Sequence, residues 1–235
     1  MTPHNPLQLI AKLLSFESGT TEATTIITKM LEEDWDHLVT TASHHLVLPS
    51  LYCKLQQKDV LSLLPKDLEQ YLKELSAINR NRNKRLLQQS QNISNLLQAH
   101  GVEHAFLKGI ALLIKGCYKD IAERMIGDID ILVAPEQLRR ASLLLRENGY
   151  TYKTESFGSK YMPYHQDIRL LPEQNGLAAV ELHRQALYIG YEAFLPTYSL
   201  LEHKRKGHTL HIPSSHNLLN HIILHHEVND YGYLN

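Results

Sequence analysis

Two aspartates one residue apart, Asp128-Ile129-Asp130, lead into the strongest strand signal of this chain, Ile129-Asp130-Ile131-Leu132-Val133. Side chains two apart on a strand point to the same face, so the spacing sets two carboxylates side by side. Like charges that close repel unless a cation or a proton neutralises them. Oxygen-rich groupings of this kind suit Mg2+ or Mn2+, and Mg2+ also binds substrate phosphates. The apolar neighbours Ile129, Ile131, Leu132 and Val133 put the pair on a buried strand, where uncompensated charge is costly. A bare D-x-D is a weak motif on its own, since Asp128 also fits an ordinary strand-leading residue after Gly127.

The surroundings add to it. Upstream, Leu107-Lys108-Gly109 joins a short strand to an apolar helix. Glycine there lets backbone N–H groups approach a phosphate, and the helix amino end adds a favourable dipole. Lys108 is a candidate point charge for the same phosphate, or else a solvated lysine. Arg124 precedes Asp128 by four residues, near enough in sequence for a phosphate contact or a structural ion pair with the aspartates. Downstream, Val180-Glu181-Leu182-His183 alternates as a strand and sends Glu181 and His183 to one face. Glu181 is the natural third carboxylate, with Asp167 as the substitute, and His183 reads first as a packed histidine.

These residues need a frame. Apolar positions at three- and four-residue steps predict helices over 7–16, 22–33 and 34–45 and a long one over 66–100, free of proline and glycine and stopped by Gly101. Its middle, Asn79 to Arg85, is polar enough to predict a kink or a solvated face. After Gly101 strand signals appear at 104–107, 129–133, 150–156, 165–171, 177–183 and 209–212, with helices at 110–116 and 136–148. The expected fold is α+β: a helical region over 1–100, a small mixed-sheet core over 101–213 and a C-terminal helix over 214–235. The last residues, Tyr231 to Asn235, show no clear stop, so either a short form or a chain cut before further helix is expected.

Composition excludes several alternatives. A net charge of −1 offers no global basic field for nucleic acid, and Cys53 and Cys117 make neither a disulfide framework nor a zinc motif. No stretch approaches the roughly 20 apolar residues of a membrane span, and the start lacks a secretory signal, so a cytoplasmic location is expected. Fifteen histidines are scattered. His221 and His225 share a helical face at i, i+4 but lack the His-Glu-x-x-His pattern, so packing or a contribution to an acceptor pocket outranks zinc.

The order of strand, Lys-Gly, helix, Arg, Asp-Ile-Asp-Ile-Leu-Val, helix and Val-Glu-Leu-His resembles the uncharacterised nucleotidyltransferase family of bacteria, within the DNA polymerase β-like superfamily. The likeness runs from about Trp35 to the end. It implies a nucleotidyltransferase core in which Gly109 is the turn glycine, Asp128 and Asp130 the metal pair and Glu181 the third acid. It further implies metal-dependent transfer of a nucleoside monophosphate, with ATP as donor, to an unidentified hydroxyl acceptor, a small molecule or a protein. This chain has Ile110 where many relatives have serine, which leaves phosphate contact to backbone N–H groups and Lys108. That departure favours a second reading, a catalytically weak nucleotide-binding subunit with a regulatory or interaction role in a toxin–antitoxin or biosynthetic operon.

Overall fold

A computed structural model describes residues 5–152, 166–173, 177–202 and 210–230. The strand expectations at 153–156, 165 and 209, the side chain of Asp167 and the end at 231–235 lie outside the described residues. The chain divides into two compact units, Met1–Lys84 with Tyr118–Met125, and Arg85–Cys117 with Ile126–Asn235.

The first unit is helical. Helices α1 (Pro6–Leu14), α2 (Thr20–Ile27), α3 (Glu32–His44) and α4 (Leu48–Gln57) enclose Leu13, Leu38, Leu51 and Leu55 in one apolar core. Helix α4 went unforeseen because Pro49 reads as a breaker, yet at the first turn a proline lacks no needed donor. Buried Lys58 closes the end of α1, its Nζ donating to Leu13 O at 2.7 Å and Ser15 O at 3.0 Å.

Helix α5 (Lys66–Ala99) runs unbroken and supplies residues to both units. Its polar run is solvated only in part, with Asn81, Lys84 and Arg85 exposed. Asn79 and Asn83 are buried, and their amides hold the segment 120–124. Asn83 Nδ2 donates to Ile121 O at 2.6 Å and Arg124 O at 2.7 Å; Asn79 Nδ2 donates to Ala122 O at 2.8 Å and Arg124 O at 3.1 Å. Arg80 adds a forked ion pair to Asp120 at 2.6 Å. An irregular backbone needs such partners when it is buried.

The second unit is built on a five-stranded mixed sheet in the order β1-β2-β5-β4-β3. Its strands are β1 (His104–Phe106), β2 (Asp128–Val133), β3 (Tyr150–Tyr152), β4 (Gln166–Pro172) and β5 (Ala179–His183). Strands β2 and β5 run parallel and the remaining pairs are antiparallel. This is the expected α+β class. Helix α6 (Lys108–Lys115) follows β1, and α7 (Leu138–Glu147) follows β2 after a 3-10 turn at Pro135–Gln137. Helix α8 (Thr197–Glu202) was not foreseen from sequence, and α9 (Ser215–Asn229) packs against α6. Residues 210–212 form no strand, although the His211 carbonyl accepts from Phe106 N at 2.8 Å.

One side chain of α5 fastens the sheet. Gln89 accepts from Leu177 N at 2.9 Å and Ala178 N at 3.2 Å, and donates to Ala178 O at 3.0 Å and the Tyr150 hydroxyl at 3.2 Å. No described helix is long and apolar enough to cross a membrane.

Candidate active site

Strand register assembles the site. Asp130 pairs with Glu181 across the parallel β2–β5 ladder, Leu132 with His183, and Arg169 with Glu181 across β4–β5. Paired positions share a face, so Asp128, Asp130, Glu181, His183 and Arg169 converge on one side of the sheet. The intervening Ile129, Ile131, Val180 and Leu182 are buried on the other. Sequence alternation thus does two tasks on these strands: one face builds core and the other carries charge.

Asp130 lies at the floor, 3% exposed. Its Oδ1 meets Lys108 Nζ at 2.7 Å and His183 Nε2 at 2.9 Å. Burial by itself would raise its pKa; the hydrogen bond and charge of His183 and the ammonium of Lys108 outweigh that and hold the carboxyl well below the usual range. An ionised Asp130 is an acceptor, so His183 Nε2 carries the proton between them. Glu181 is buried beside it, with His183 Nε2 at 4.0 Å from its Oε2. Ligand atoms of Asp130, Glu181 and His183 lie within 4.8 Å of one another, the one such cluster of three among the described residues. The two carboxylates offer oxygen donors that fit a divalent cation, and His183, with its Nε2–H turned to Asp130, orients one of them.

Asp128 sits at the mouth, half-buried. Arg169 Nη1 reaches its Oδ2 at 3.2 Å and also forms an ion pair with Glu181. Burial, then the charge of Asp130, pushes the Asp128 carboxyl above its ordinary value, with Arg169 opposing. Arg169 was not foreseen as a site residue. The expected strand at 165–171 already contained it on the same alternation as Asp167, but only register with β5 shows that it stands opposite Glu181.

Helix α6 starts beside these carboxylates. Leu107 N donates to Asp130 O at 3.0 Å, and no side chain caps the amino end of the helix. The left-handed residue of the turn is Lys108, with φ 50°, rather than Gly109. A lysine held there is strained by its Cβ, and the strain accompanies a side chain committed to Asp130. Ile110 is fully buried and belongs to the core. Arg124 falls in the first unit, exposed, with its carbonyl taken by Asn79 and Asn83. His221 and His225 stack edge to face with ring centroids 5.6 Å apart and join no third metal-ligating side chain among the described residues.

A family model described as uncharacterised nucleotidyltransferase matches residues 32–233. No curated protein and no solved structure matches the chain.

Proposed function

The chain belongs to the uncharacterised nucleotidyltransferase family, and from that premise we propose that it moves a nucleoside monophosphate from a nucleoside triphosphate, ATP in the leading case, to a hydroxyl acceptor, releasing pyrophosphate. The observation that carries this reading is the convergence of Asp130, Glu181 and His183 within 4.8 Å, beside a lysine at the start of an uncapped helix. Asp130 and Glu181, with Asp128 at the mouth, would hold a divalent cation, Mg2+ or Mn2+, which would neutralise charge at the transferring phosphate and acidify the attacking hydroxyl.

The chain's own groups divide the remaining tasks. Backbone N–H groups at the start of α6 and the Lys108 ammonium meet phosphate oxygens, where dipole and charge favour an anion. Charge held in place before the reaction stabilises the transition state without reorganisation. The acceptor oxygen bonds to the α-phosphorus as the bond to the pyrophosphate oxygen breaks. Glu181, buried and aimed into the site, takes the proton released by the acceptor. His183 holds Asp130 in one orientation through Oδ1, so that this carboxylate would be set to hold a cation.

Thermal unfolding with each nucleoside triphosphate, with and without Mg2+ or Mn2+, tests the proposal. A metal-dependent rise in Tm that is lost in Asp130→Ala and Glu181→Ala supports it. No rise with any nucleotide under any metal condition sinks it.

A further inference from the structure

All three carboxylates of the site carry an internal cation: Lys108 on Asp130, and Arg169 on both Asp128 and Glu181. Asp128 is on β2 and Arg169 on β4, two strands that do not touch, so the guanidinium reaches across β5 to bridge them. It thereby neutralises two of the acids that would hold a cation in the reading above. Three negative and two positive groups leave little charge for a further cation unless one internal cation steps aside. Arg169 is the one placed to do so. Its side chain is 35% exposed, whereas Glu181 beneath it is 7% exposed. Its fork is also incompletely used, because Nε is buried with no hydrogen-bond partner. A guanidinium that leaves a carboxylate needs another anion that presents two oxygens to its fork, and a phosphate does so.

We propose that Arg169 is an exchangeable counter-ion: without metal it clamps Asp128 to Glu181, and on metal entry it passes to the phosphates of the incoming nucleotide. This rests on the nucleotidyltransferase reading above and adds a phosphate-binding residue to it. Because one side chain serves two anions in turn, metal and nucleotide each raise the other's affinity, as linkage requires. The clamp also keeps two acids at a fixed separation while no metal is bound.

Titration of the full chain with Mn2+, followed by the paramagnetic resonance of the free ion, tests the exchange without any turnover. Arg169→Gln binds Mn2+ in the absence of nucleotide about tenfold more tightly than the wild type, and at saturating Mn2+ binds ATP about tenfold more weakly. Arg169→Lys keeps the charge but cannot fork, so its Mn2+ affinity rises as well; a mere long-range charge effect would leave it at the wild-type value. Unchanged Mn2+ affinity in both variants overturns the exchange. Tighter Mn2+ binding with no ATP binding by the wild type overturns the transfer to phosphate and removes the nucleotidyltransferase reading beneath it.

Discussion

His183 on β5 and Asp130 on β2 meet diagonally across a parallel ladder, ring nitrogen to carboxylate oxygen at 2.9 Å, although register sets His183 opposite Leu132. The imidazole is fully buried, so its orientation is fixed by packing and the carboxylate is fixed through it. A ligand oriented by a neighbour loses less freedom when it binds a cation.

His183→Phe keeps a ring in the same space and removes the N–H. It should fold and weaken Mn2+ binding by about 10- to 100-fold. Isothermal titration with Mn2+ alone measures this, and an unchanged constant shows that His183 does no more than fill space.

Helix α9 contributes acid sensitivity. Burial first, then the neighbouring His225 and the charge of Lys108, holds His221 down at about 3 from an ordinary value of 6.5, and burial holds His225 at about 4. The unfolded chain therefore takes up protons below about pH 6.5 that the folded chain refuses, and stability present above that pH is lost as pH falls toward 3. At pH 5 this costs about 2 kcal/mol for His221. Neither ring nitrogen of His221 has a hydrogen-bond partner, so His221→Leu should match or exceed wild-type stability at pH 7 and exceed it by about 2 kcal/mol at pH 5. Urea unfolding at the two pH values decides.

The turn at Lys108 separates strain from charge. Lys108→Gly and Lys108→Ala both lose the ammonium, but only glycine relaxes at φ 50°. The glycine variant should be about 1 kcal/mol more stable than the alanine one, with nucleotide affinity reduced alike in both. Equal melting temperatures would show that no strain is held there.

Asn83 anchors the segment ahead of β2. Asn83→Ala strips Ile121 O of a buried partner while Arg124 O keeps Asn79. The expected loss is about 1–3 kcal/mol in chemical denaturation, and Asn83→Asp should be no better because a carboxylate cannot donate.

Much of the candidate site was legible because strand alternation is a local rule. That Asp128 shares a face with Asp130, and Glu181 with His183, follows from spacing alone; that Lys108 and His183, the latter read as a packed histidine, both meet Asp130 does not. Arg169 was not legible, since its role depends on which strand lies next to β5, a matter of pairing between distant segments. The Asn79–Arg85 run misled in part for a similar reason: Asn81, Lys84 and Arg85 are exposed, but Asn79 and Asn83 are not. Polar residues on a helix read as solvated, and only the irregular backbone at 120–124 turns them into buried donors. Helix α4 was hidden by Pro49, whose meaning depends on its position within the first turn.

Gln89 acts as a single rung of an extra strand, supplying a carbonyl and an amide to Leu177 and Ala178 just ahead of Glu181. The amide is drawn from a helix that ends before Gly101, so a piece of the chain excised at that glycine retains every carboxylate of the site and loses the rung. Its β5 would enter the sheet unfastened. The smallest piece worth expressing therefore starts no later than Arg85, where the second compact unit begins.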